Sequence, residues 1–260
     1  MKIRWMYAFI DRPAAAFANA CDFWTEVTGT RLSAFRGERD QFTTLIPPQG
    51  DAHLKVQALQ HCPDSGGTHL DLSVDDVAAS TKIALGLGSE SVNEEPGFSV
   101  LRSPGGLPYC LVEWRGEGTR APVFEDLTRV RSRLDQVCLD VMPEQLEREL
   151  EFWQAITGWK QQPSSAPEFH VLKPPGNMPI RILVQRLGGD DPRQGVTAHL
   201  DLACTNVDAA VARHENLGAR VVARYERWTV MRDPAGAVYC LTARSPQTGT
   251  LRQPVARTER

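Results

Sequence analysis

The chain repeats itself at about half its length, and that repeat limits what it can fold into. Phe23-Trp24 and Gly29 return as Phe152-Trp153 and Gly158, 129 residues on. His69-Leu70-Asp71-Leu72 returns as His199-Leu200-Asp201-Leu202 at an offset of 130. Arg102, Pro104, Gly106, Tyr109, Cys110 and Leu111 return as Arg232, Pro234, Gly236, Tyr239, Cys240 and Leu241 at the same offset. Three separated blocks, in one order and at nearly constant spacing, mean a duplicated domain. With 260 residues, each copy is long enough for a core of its own.

Hydrophobic periodicity then orders the elements. In the second half, Gln136 to Met142 reads as a strand and Pro143 to Thr157 as a helix, with Leu146, Leu150, Trp153 and Ile156 on one face. Gly158 sits where a glycine stops a helix. Extended runs follow at 169–172 and 180–187. A second unit opens at His199 to Cys204, continues through a helix ended by Gly218, and closes with runs at 221–222, 228–231 and 238–242. The first half repeats this pattern from Tyr7 to Glu113. The chain therefore holds four strand–helix–strand–strand–strand units, two per domain. The expected division is 1–116 for the first domain, 117–131 for a charged linker, 132–244 for the second domain and 245–260 for a polar tail. Striped helices with alternating strands predict an α+β fold in which helices cover one side of antiparallel sheets.

Composition narrows the function classes. A formal net charge of −3 gives no reason to expect nucleic acid or an anionic membrane as partner. The apolar runs fall far short of a bilayer span. The start, Met1-Lys2-Ile3-Arg4-Trp5, runs straight into a strand with no cleavable apolar core, so a cytoplasmic protein is expected. Six cysteines without paired spacing read as reduced thiols.

Strand alternation exposes the candidate site. His69, Asp71 and Ser73 share one face of their strand, as do His199, Asp201 and Ala203. Tyr109 and Leu111 point to the core, which turns Cys110 the other way; Tyr239, Leu241 and Cys240 follow suit. Each domain thus places a His, an Asp and a Cys on the concave side of its sheet. The bland reading is a satisfied structural pair with a small thiol filler; the functional one is a pocket lining. A Cys110–His69–Asp71 nucleophilic relay is disfavoured, because His and Asp at i and i+2 flank each other instead of stacking. The Phe-Trp pairs read as core. Arg102 and Arg232 read as braces of the turns that follow them.

At this point the chain resembles the vicinal oxygen chelate superfamily, which includes glyoxalase I, extradiol dioxygenases and bleomycin-resistance proteins. The resemblance rests on Phe-Trp…Gly, His69-Leu-Asp-Leu, Ser103-Pro-Gly-Gly…Cys110-Leu and Asp233-Pro-Ala-Gly…Cys240-Leu. It implies paired βαβββ units forming a U-shaped, eight-stranded sheet per domain. It also implies up to four metal ligands, falling here on Tyr7, Gln57, His69 and Cys110, and on Gln136, Gln185, His199 and Cys240. These sets are degenerate: the carboxylate ligand is missing, unless Asp71 or Asp201 substitutes. No metal or other cofactor is therefore expected, although a divalent cation would find partial ligand sets.

The sequence reading is thus a metal-free protein that binds a small organic molecule in its concave clefts. The alternative is a lyase, isomerase or dioxygenase with a degenerate metal site. Trp5, Tyr7 and Phe9, by parity on the first cleft's wall, point to that cleft as the main ligand site. The repeat itself predicts a pseudo-twofold pairing of the two domains in a monomer, or a homodimer.

Overall fold

The computed structural model describes residues 1–60, 66–164, 166–193 and 195–251. Cys62 and the tail from 252 to 260 lie outside the described residues. The first sheet comprises β1 (Ile3–Pro13), β2 (Arg31–Leu32), β3 (Phe42–Ile46), β4 (Leu54–Leu59), β5 (Gly67–Val74), β6 (Glu90–Glu95), β7 (Phe98–Arg102) and β8 (Pro108–Glu113). Helix α1 (Phe17–Thr28) follows β1, and α2 (Val77–Gly86) follows β5. The second half adds β9 (Phe124–Glu125), β10 (Arg131–Val141), α3 (Leu146–Thr157), β11 (Lys160–Gln162), β12 (Phe169–Lys173) and β13 (Arg181–Arg186). It continues with β14 (Thr197–Cys204), α4 (Val207–Asn216), β15 (Arg220–Arg224), β16 (Trp228–Arg232) and β17 (Val238–Thr242).

Strand order is β2-β3-β4-β1-β5-β8-β7-β6 in the first sheet and β11-β12-β13-β10-β14-β17-β16-β15 in the second, where β9 also pairs with β10. Two βαβββ units meet at the central β1–β5 or β10–β14 pair. The sheets are mixed, which corrects the antiparallel expectation: β4 runs parallel to β1 and β8 parallel to β5, with the same pairings in the second sheet. The reason is connectivity. A helix carries the chain over from the unit's first strand, and the three-strand meander that follows brings its last strand back beside the first in the same direction.

Local signals set the helix ends. Gly29 and Gly158 follow α1 and α3 in the left-handed region, at φ +64° and +70°, where a side chain would be strained. Asp76 and Asn206 cap α2 and α4, accepting the amides of Ala79 and Ala209.

The domains grip each other reciprocally. The Phe-Trp pair of α1 packs on Tyr239 of β17, with ring centroids 5.8 and 5.3 Å apart. The Phe-Trp pair of α3 packs on Tyr109 of β8, at 5.9 and 5.5 Å. A buried carboxylate holds each indole, but it comes from a different place. Trp24 Nε1 donates to Asp233 in the β16–β17 turn, and Arg12 donates to the same oxygen through Nε and Nη2 at 2.9 and 2.7 Å. Across the pseudo-twofold, Ser103 stands at the turn position. Glu149 of α3 supplies the carboxylate, accepting from Trp153 Nε1 and from the amide of Gly105. Burial pushes the Glu149 carboxyl up.

The expected linker is bonded along its length. Asp51 accepts the amides of Gly118 and Thr119, Glu117 accepts the Tyr7 hydroxyl at 2.7 Å, and Phe124-Glu125 extends the second sheet. Arg102 and Arg232 do brace turns, donating to the carbonyls of Gly106 and Gly236.

Candidate functional site

Register brings the concave residues together. In the first sheet Tyr7 pairs with Asp71 and Phe9 with His69, while Asp71 lies beside Cys110. His69 Nδ1 donates to Asp11 at 2.6 Å, and its ring stacks on Phe9 with centroids 4.3 Å apart. Its Nε2 stands 3.7 Å from Asp71 Oδ1. Burial disfavours the imidazolium, yet the Asp11 carboxylate and then Asp71 overcome it, so the His69 pKa is raised. Burial and then Asp71 push the Cys110 thiol up. A lysine completes the cluster: Lys55 Nζ is 3.0 Å from Asp71 Oδ2 and lies over the Tyr7 and Phe9 rings at 3.9 and 5.0 Å.

The second sheet repeats the frame with different contents. His199 Nδ1 donates to Asp140 at 2.9 Å, and Arg193 donates to the same oxygen at 2.8 Å. His199 Nε2 lies 3.4 Å from Asp201 Oδ1. Asp201 Oδ2 accepts from Gln136 Nε2, and Gln136 Oε1 accepts from Arg181 Nε at 2.6 Å. Cys138 stands where Phe9 does, with its thiol 3.6 Å from Gln185 Oε1. Burial opposes a charged His199, but Asp140 and the neighbouring thiols raise its pKa well above the ordinary value. Burial raises the Cys138 and Cys240 thiols too.

Two triads therefore hold donor atoms mutually within 4.8 Å: His69, Asp71 and Cys110, and Cys138, His199 and Asp201. The carboxylate missing from the carried-over ligand positions is present after all, two residues beyond each histidine on the same face. The two sites differ in what faces that carboxylate. Lys55 lies opposite Phe9, and at the equivalent register opposite Cys138 the second sheet has Leu183. An ammonium already neutralises Asp71, and a second cation there would meet repulsion. Asp201 has no lysine on it; its Oδ1, like that of Asp71, is buried without a hydrogen bond. The second triad, with a thiol, an imidazole and a carboxylate, fits a divalent transition cation. Asp140 holds the histidine with Nε2 turned inward, as carboxylates behind metal-binding histidines do.

The space follows the same asymmetry. A cavity of about 510 Å³ opens over the second triad, lined by Gln136, Cys138, Gln185, His199, Asp201 and Cys240, with Phe169, Val171, Leu183, Tyr225 and Trp228 as apolar walls. Phe169 meets Trp228 edge-on at 5.7 Å, and Tyr225 stacks on it at 4.6 Å. The cavity lies over the second triad, whereas the sequence reading expected the main site in the first cleft. The aromatic rings counted on there serve as a platform for Lys55, and Trp5 is fully buried, its Nε1 tied to the carbonyl of Ala52. Leu134, which the repeat aligns with Trp5, turns into the core because the β10 bulge lies two residues later in the repeat than the one in β1. Gln57, carried over as a first-cleft ligand, pairs beside Asp11, while Lys55 reaches the triad instead. Sequence reasoning missed Asp11 and Asp140. Extending the parity Tyr7, Phe9 by one more step would have found Asp11, and the repeat would then have found Asp140.

A glyoxalase-like domain model matches residues 7–112 and 136–242. The chain belongs to the glyoxalase-like family, in two tandem copies. It shares the fold of a 4-hydroxymandelate synthase variant from Streptomyces coelicolor, at 14% identity over 94% of both chains and a TM-score of 0.61. A 2,2',3-trihydroxybiphenyl 1,2-dioxygenase from Sphingomonas wittichii matches at 14% identity, over 93% of this chain and 90% of the other, with a TM-score of 0.63. The 2,3-dioxygenase LapB from Pseudomonas sp. KL28 matches at 12% identity, over 93% and 92%, with a TM-score of 0.61. No curated protein matches the chain by sequence. Among the described residues, no helix is long and apolar enough to cross a membrane.

Proposed function

We propose that this glyoxalase-like chain is an enzyme of the vicinal oxygen chelate superfamily whose working site is the second cleft. There Cys138, His199 and Asp201, with Cys240 alongside, would hold a divalent cation beneath a small organic substrate. The observation that carries this reading is the cavity of about 510 Å³ over the Cys138, His199 and Asp201 donor atoms, with Leu183 where the first sheet has Lys55. The likeness to dioxygenases and a synthase supports an enzyme over a sequestering protein, without specifying the reaction.

A bound cation would supply Lewis-acid polarisation of a substrate oxygen. The chain's own groups do the rest. Asp140 orients His199 and, in the metal-free protein, favours its protonated form. Gln136 ties Asp201 to Arg181, so a charge placed at one end of the cavity is felt at the other. Phe169, Trp228 and Leu183 exclude water and offer flat apolar area to a ring. The first cleft, neutralised by Lys55, is a structural counterpart.

The test is titration of metal-free protein with cobalt(II), read by its thiolate absorption and by calorimetry. One equivalent should bind, His199→Ala should abolish it, and His69→Ala should leave it in place. Binding that survives His199→Ala, or no binding at all, overturns the reading.

A further inference from the structure

Part of the wall of the second cavity is made of buried or half-buried guanidinium groups. Arg181 and Arg244 both line the cavity. Arg244 is 3% exposed; its Nη2 lies 2.8 Å from Asp135 Oδ1 and its Nε donates to Thr242 Oγ1, but its Nη1 is buried with no hydrogen-bond partner. Among the described residues, Arg181 donates through Nε to Gln136. Arg120 also approaches Asp135, at 3.9 Å, and Arg133 lies near both. Four guanidiniums thus gather around Asp135, with Arg244 closest; Asp201, Glu168, Glu226 and Arg227 also line the cavity. Mutual repulsion is felt: burial and then Arg244 hold Arg181 down, at about 10.

The arrangement is built by the backbone. The β10 bulge between Leu134 and Gln136 carries Asp135, which stands in the repeat where β1 has the core residue Met6. Gly249 covers the group so closely that a Cβ there would stand 3.1 Å from Asp135 Oδ2 and 3.3 Å from Arg181 Nη1. The first domain has no copy of this group: Lys55 and Asp51 stand at the register positions of Leu183 and Pro179 or their neighbours, and no arginine corresponds to Arg181.

We infer that the ligand of the second cleft carries an oxyanion, a carboxylate or a phosphate, received by Arg181 and Arg244, on a flat apolar body that lies against Phe169 and Trp228. The inference rests on the second cleft being the ligand site. A forked guanidinium suits such a group, because parallel N–H donors match two oxygens of one head. A neutral ligand of the same shape would leave Arg244 Nη1 buried and unpaired.

Three probes that share one ring separate the cases: benzoate, phenyl phosphate and benzamide, titrated calorimetrically into the full chain with and without zinc. At least one anion should bind about tenfold more tightly than benzamide, equivalent to about 1.4 kcal/mol. Arg181→Met should remove that preference and Arg181→Lys should recover part of it, with benzamide affinity in each variant the control for an intact cleft. Equal binding of benzamide and both anions, no binding of any probe at millimolar concentration, or a preference that survives Arg181→Met overturns the inference. Zinc binding without an anion preference sinks this inference alone. An anion preference without metal binding sinks the metal reading and leaves this one standing.

Discussion

Lys55 and Leu183 occupy the same register position in their two sheets, one beside Phe9 and the other beside Cys138, and this single difference separates the two clefts. Lysine puts an ammonium on Asp71 and against two aromatic faces. Leucine puts no ammonium on Asp201, over which the cavity opens.

Replacing Lys55 with Met should therefore expose Asp71 as an uncompensated buried carboxylate. The expected cost is about 2 kcal/mol, the range for removing one partner of a largely buried, hydrogen-bonded pair. Urea unfolding measures it, and added zinc should recover part of the loss by filling the vacated cation position. A stability unchanged from wild type would mean that Lys55 is solvated and not part of the cluster.

The interdomain pair Arg12–Asp233 is buried on both sides, at 1% and 0% side-chain exposure. Arg12→Met leaves Asp233 with only the Trp24 indole and two turn amides, and should cost about 3–5 kcal/mol. Because Asp233 also seats Trp24, Asp233→Asn should weaken the same junction, and the double variant should cost less than the two singles together. Additive losses would show that the residues act independently.

Asp140→Asn should lower the pKa of His199, since that carboxylate leads the effects that raise it against burial. The imidazole would also lose its orienting acceptor, so cobalt affinity should fall about 10- to 100-fold. Proton NMR of the His199 ring and the cobalt titration check both halves. An unmoved titration midpoint would contradict the geometry.

His214 gives a stability signature with the opposite sign. It is 1% exposed, lies 2.8 Å from the Tyr239 hydroxyl, and burial, then Arg213, lower its pKa to about 3. A depressed folded pKa means that the neutral ring's stability contribution is fully present above about 6.5 and is lost as pH falls towards 3. The slope is about 1.4 kcal/mol per pH unit. Comparing urea midpoints of wild type and His214→Asn from pH 7 to 4.5 isolates the term. The wild type should lose its advantage steadily over that window; a pH-independent difference would contradict the burial of a neutral ring.

The duplication, the βαβββ order, the glycine stops and the concave placement of His69, Asp71, Cys110 and their copies were all legible in the chain. Periodicity and turn chemistry are local properties, and a repeat checks each against its copy. The carboxylates at Asp11 and Asp140 were within reach of the same parity, one step further along each strand. Two things came only from the tertiary structure. The β10 bulge lies two residues later in the repeat than that of β1 and sends Leu134 inward and Asp135 towards the arginines. Most of all, Lys55 sits on Asp71 in one cleft, while Leu183 takes that register position under the cavity of the other. No local pattern separates these outcomes, because they depend on which side chains from neighbouring strands compete for the same few ångströms of buried space and on whether the charges that meet there cancel.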